Sequence, residues 1–179
     1  MYIFIVGSVL FILVFFIIEV YFYNKFQKAI ISINEALNSI DILLQKKFAL
    51  LEKTIKLIEK SNKKYKEENI LANIIKLKNK TVNNFTLNKE LEKAFIEYRE
   101  LLELDAKLSN ISSLNNINFE LTNVENDLAA SKKYYNKHVT IYNKLIKRFP
   151  ACLVAWLFKY KTRAFYSTEK KETFKILEK

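Results

Sequence analysis

Chain reversals draw on glycine and proline, and this chain has one of each in 179 residues, Gly7 and Pro150. Sheet folds turn every few residues and cannot be built with so few. Half the residues are apolar, enough for a buried core in a chain of single-domain length. The combination predicts an all-α fold of long helices with few connections.

The apolar residues are unevenly placed. Residues 2–18 read YIFIVGSVLFILVFFII without a charge, and Glu19 is followed by Val20, Tyr21, Phe22 and Tyr23. As a helix, residues 2–23 would extend ~33 Å, enough to cross a hydrocarbon slab of ~30 Å. Tyr2 at one end and Tyr21, Phe22 and Tyr23 at the other stand where interfacial aromatic belts belong. A cleavable leader opens with basic residues and closes with small ones. Nothing basic precedes this run, and the first alanine is Ala29, so residues 1–23 are expected to be a retained transmembrane anchor. Ahead of it stands only the terminal amine; behind it come Lys25, Lys28, Lys46 and Lys47. That bias predicts a single-pass protein with its N-terminus outside and its body in the cytoplasm. Glu19, at the membrane edge, is expected to reach into the headgroup layer, the alternative being an ion pair with a partner membrane helix.

Behind the anchor, Phe26, Ile30, Ile33, Leu37, Ile40, Leu44, Phe48, Leu51, Ile55 and Ile58 recur at steps of three and four. This is a heptad stripe with one stutter, and anchor and stripe are expected to form one rod. A second helical region is predicted over residues 65–104, weakest at 79–88, where strong helix formers are scarce. Residues 105–118, rich in Ser and Asn, read as the main loop. A third helix is expected from about Asn118, with the stripe Leu121, Val124, Leu128, Ser131, Tyr135, His138, Tyr142, Leu145 and Phe149, and Pro150 as its stop. If the first helix leaves the membrane and the second returns, the third departs again. Its basic end would then lie far from the bilayer, with the run ACLVAWLF, containing Trp156, capping the distal end as a short helix or docking a partner.

The formal charge is +11. Only Arg99, Arg148 and Arg163 are arginine, whereas phosphate binders usually draw on its bidentate fork. Lys, Asn, Ile and Phe are together what an AT-rich genome favours, so much of the charge reads as codon usage. Lys132, Lys133, Lys137, Lys144, Lys147 and Arg148 form an acid-free basic face on the third helix. Its bland reading is a solvated surface; the functional one is contact with nucleic acid, an acidic protein or anionic lipid, with the distal placement of the basic end arguing against lipid. His138 and Cys152 are the only residues of their types, too few for a zinc site, and a buried imidazole is favoured over a Cys–His pair. With Gly7 the sole glycine, no phosphate-cradling loop can be built. No catalytic residue, metal ligand or cofactor is expected, and the chain reads as a non-enzyme.

Residues 132–150, KKYYNKHVTIYNKLIKRFP, carry Tyr135-Asn136 and Tyr142-Asn143 two helical turns apart. Each Tyr is expected to bury its ring, and each Asn to cross-link to a neighbouring helix and set register. Asp41 is expected either to pair with Gln45 or Lys one turn on, or, as the favoured reading, to be a buried carboxylate bonded to Tyr135 or Tyr142.

The chain resembles the LemA family of bacterial membrane proteins on these residues. The block YYNKHVTIYNKLIKRFPACLVAWLF is similar to that family's closing signature. Residues 40–47, IDILLQKK, are similar to its first-helix motif, and Tyr23-Asn24 to the pair that opens its domain. The family usually has a proline soon after the basic pair, a small residue where His138 stands, and glycine where this chain has Trp156. The resemblance implies an antiparallel helical bundle on one N-terminal span with the N-terminus outside. The expected division is an anchor over residues 1–23, a bundle over 24–149, and a short apolar helix with a basic tail over 150–179. The expected function is a membrane-anchored scaffold or interaction module that binds the bilayer through residues 1–23 and a protein partner or second copy elsewhere. Polyanion or nucleic-acid binding through the basic helix face is the less favoured alternative. Its candidate structural or interaction residues are Asp41, Tyr135, Asn136, Tyr142, Asn143, Phe149, Pro150 and Trp156.

Overall fold

In the computed structural model, residues 1–61, 84–104, 108 and 111–166 are described. Among them are four helices and no strand: α1 (Tyr2–Ser61), α2 (Asn84–Leu104), α3 (Ser112–Lys147) and α4 (Ala151–Leu157). The all-α expectation is met, and α1 is one unbroken helix of 60 residues. The forecast for residues 65–83 falls outside the described residues, but from Asn84 the weak stretch is helical. The third helix begins at Ser112, well before the expected Asn118. Leu114 and Ile117 are both buried and carry the three-four stepping back from Leu121. That apolar face outweighs the poor propensity of the Ser and Asn residues beside it.

Chain contacts divide the protein into two units, residues 38–132, and residues 1–37 with 133–179; α1 and α3 contribute to both. In the first, Ile40, Leu44 and Leu51 of α1, Leu91 and Tyr98 of α2, and Leu121, Val124 and Leu128 of α3 form a buried core. Polar side chains fix the directions of the helices. On α1, Lys47 lies 5.1 Å from the centre of the Phe95 ring, and Thr54 lies beside the Tyr98 hydroxyl. Described α2 therefore runs parallel to α1. On α3, Lys132 meets Glu92 at 2.8 Å, and Asn118 accepts from the Tyr98 hydroxyl, so α3 runs antiparallel to α2. The expected order of departure, return and departure is thereby corrected: α2 departs with α1, and α3 returns.

In the second unit, Phe26, Ala29, Ile33 and Ala36 of α1 pack with Tyr135, Val139, Tyr142 and Leu145 of α3. Tyr142 meets Phe26 edge-on, with ring centres 5.8 Å apart. Beyond α3, residues 149–150 form a turn and α4 follows. A Schellman motif ends α4: Lys159 N–H donates to the Trp156 carbonyl at 3.2 Å and Tyr160 N–H to that of Ala155 at 2.9 Å. Lys159 takes the left-handed φ of 54° that this motif requires. The chain then runs without secondary structure from residue 160 to 166. It climbs along α1, with Phe158 against Tyr23 (5.0 Å), Tyr160 against Phe26 (4.9 Å), and Arg163 Nη1 donating to Asn34 Oδ1 at 3.3 Å.

The start of α1 differs in kind. A window of 18 residues has a mean hydropathy of 3.0 and none of it is buried within the chain. A helix apolar on every side and covered by none of the described residues suits a hydrocarbon surround. It is a candidate membrane span.

Candidate functional site

The repeated Tyr-Asn pairs hold the tail, not a neighbouring helix. Asn143 Nδ2 donates to the Arg163 carbonyl at 2.9 Å, and Arg163 N–H donates back to Asn143 Oδ1 at 2.9 Å. Asn136 repeats the arrangement with Tyr166, its Nδ2 donating at 3.0 Å and its Oδ1 accepting at 2.9 Å. In an extended residue the N–H and C=O point the same way, so one carboxamide can satisfy both. The spacing has a simple origin. Seven helical residues rise ~10.5 Å, and three extended residues span about the same distance. A seven-residue step on α3 therefore meets a three-residue step on the tail, which runs antiparallel to it.

The tyrosines close the clasp from below and between. Tyr135 donates its hydroxyl to the Ala164 carbonyl at 2.9 Å and packs its ring edge-on against Tyr166 at 5.2 Å. Burial pushes the Tyr135 hydroxyl pKa up, against the opposing pull of Arg163. The Arg163 guanidinium lies 5.6 Å over the Tyr142 ring. Farther down, Gln27 Nε2 donates to the Tyr160 hydroxyl at 3.1 Å, and burial raises that hydroxyl too. At about 1 kcal/mol per net hydrogen bond, the two carboxamides contribute ~4 kcal/mol to holding the tail. Both ends of each carboxamide are engaged internally. This is a latch and not a ligand site.

The other sequence candidates separate. Asp41 accepts from Gln45 Nε2 at 3.2 Å, so the favoured bond to Tyr135 or Tyr142 gives way to the local pairing. The i,i+4 partner is already within reach on the same helix face, and Tyr135 donates to the tail instead. Phe149 and Trp156 are not core: they are 75% and 81% exposed. Pro150 precedes α4 as its N-cap. His138 is half-buried against Tyr134, ring centres 4.4 Å apart, and Val139 takes the buried position expected for it. Cys152 is half-buried in a groove with Ile146, Ala155, Trp156, Lys159 and Lys161. Among the described residues no three His, Cys, Asp or Glu side chains gather as a metal site.

Two buried polar groups make contacts that the sequence does not announce. Lys47 reads there as a cation behind the anchor and as one of the basic pair in the family-like motif. It is 1% exposed and ion-paired with Glu125. Its position on the steps Leu44, Lys47, Leu51 was the available signal. Tyr98 is 3% exposed, and burial pushes its hydroxyl pKa up to about 12.

These features define a class: a helical body continuous with an unburied apolar N-terminal helix and closed by a tail latched to its last long helix. The LemA family model matches residues 36–176, which takes in the whole latch, and the chain belongs to the LemA family. No curated protein matches it.

Proposed function

We propose that the protein is a single-pass, membrane-anchored helical scaffold or protein-interaction module, not an enzyme, with its body in the cytoplasm. The observation that carries this is α1. One unbroken helix is apolar and uncovered at its start, then buried along one seam from Phe26 to Ile58. A continuous helix of that kind can tie a body to a bilayer. The carboxamides of the latch and the Lys47–Glu125 pair are engaged within that body, as suits a structural part. The orientation rests on Lys25 and Lys28 behind the span. The partner is a protein or a second copy of the chain. A polyanion is disfavoured because Lys132 is only 11% exposed and paired with Glu92, which shortens the basic face of α3.

Proximity labelling from the intact protein, compared with a chain lacking residues 1–23, tests the reading. A set of membrane-associated proteins, or the chain itself, labelled only by the intact form is expected. Identical labelling by both forms would remove the anchored-scaffold reading.

A further inference from the structure

We infer that the α4 end of the body is a second membrane contact, seated in the headgroup layer of a bilayer containing anionic lipid, beside the span. The inference rests on the anchored reading above. Its starting point is height along α1. Phe158 packs on Tyr23, Tyr160 on Phe26 and Gln27, and Tyr142 on Phe26. α3 descends past Tyr142 to Lys147, a further ~7.5 Å at 1.5 Å per residue. The tail climbs away again from Tyr160. α4 is thus the base of the loop between descending helix and rising tail, level with Tyr21, Phe22 and Tyr23, the aromatic belt that ends the apolar segment.

The surface of that base has the composition of an interface. Phe149, Leu153, Trp156, Leu157 and Phe158 are all exposed, while Ala151, Val154 and Ala155 face inward. Trp and Phe are the residues whose rings settle at headgroup level. Exposed cations surround them: Lys144, Lys147, Arg148, Lys159 and Lys161 from this loop, with Lys25 and Lys28 from α1. No acid occurs between Asp127 and Glu169, so nothing on the loop repels an anionic leaflet. The distal position expected from the sequence hid this, because it put the same residues at the far end. With α3 returning, an apolar patch that would be an aggregation hazard in water is held against lipid instead.

Trp156 is the only tryptophan and reports directly. The full-length protein is reconstituted into phosphatidylcholine–phosphatidylglycerol vesicles, and flotation is measured alongside quenching. Brominated lipids carry the bromine either high on the acyl chain or near the bilayer centre, and acrylamide probes from water. The expected result is a floating protein whose Trp156 is quenched most by the shallow bromine and less by acrylamide than in the urea-unfolded chain. A floating protein with Trp156 as open to acrylamide as the unfolded chain, and untouched by bromine, overturns the inference and leaves the anchor standing. Shielding from acrylamide and bromine alike means that protein covers α4, which also overturns it. A protein that stays with the aqueous fraction overturns both readings.

Discussion

Asn136 and Asn143 each bind one tail residue through both ends of the carboxamide, which makes them sensitive to chemistry and not only to size. Substituting either with alanine removes two hydrogen bonds and is expected to cost about 2 kcal/mol. Because both hold the same tail, the losses in the double variant should not add. Hydrogen exchange read by mass spectrometry checks this: protection should fall over residues 160–166 and persist over residues 38–60. Unchanged tail protection would refute the latch. Tyr98 offers a second test, through pH. Its folded-state pKa of about 12 lies above the ordinary 10.0, so the folded state holds the proton more tightly. That contribution is complete below pH 10 and is lost as pH climbs toward 12, at no more than ~1.4 kcal/mol per pH unit. The urea midpoint should therefore fall more between pH 9 and 11 in the native protein than in Tyr98→Phe. Equal falls would show that burial of this hydroxyl has no linkage to stability.

Helices were the most legible elements, and the limits of that legibility lie in which side of each stripe is buried. Phe26, Ile33, Ile40, Leu44, Leu51, Ile55 and Ile58 are core, as the three-four stepping implies. Ile30, Leu37 and Phe48 are only half-buried, because Ala29, Ala36 and Lys47 take the tighter seam. Small residues let helices approach closely, and a hydropathy pattern undervalues them. The stepping of Lys47 is outweighed for the opposite reason, since a cation is read as surface unless its partner is known, and Glu125 lies far along the chain. The tail was illegible altogether: backbone groups of Arg163 and Tyr166 carry no side-chain signal, so the Asn repeat pointed to a neighbouring helix by default. The expected direction of α3 failed with it, because residues 84–104 run parallel to α1 where a return was expected. The buried pair yields a prediction at this scale. Lys47→Ala strands the Glu125 carboxylate, itself partly exposed, and should cost ~2–3 kcal/mol, below the range for fully buried pairs. Lys47→Met with Glu125→Leu removes both charges and should recover most of that loss. Denaturant melts of the three proteins decide it, and a double variant no better than the single one would mean the charges themselves organise the helices.

If the start of α1 spans a bilayer as proposed, anchor, body and loop base are consistent as one molecule only when the chain inserts in one orientation. The determinant acts before the body folds: positive charges close to the span resist translocation, and acids matter little. On the proposed reading the bias is carried by Lys25 and Lys28, just behind the span. The cations of α3 and of the residues flanking α4 stand too far along the sequence to act at that moment, although the finished fold brings Lys144, Lys147, Arg148, Lys159 and Lys161 to the same end. A bias this small should be easy to overcome. In a Cys152→Ser background, cysteine introduced at exposed Lys137 should resist a membrane-impermeant maleimide in intact spheroplasts and react after lysis. Adding two lysines after Met1 while changing Lys25 and Lys28 to glutamine should make a substantial fraction of the protein react before lysis. The relocated body would keep its latch, because Asn136, Asn143 and the tail lie together in the same unit. Full labelling of the unaltered chain in intact cells would show that two lysines do not set its orientation, and the cytoplasmic assignment would fall with them.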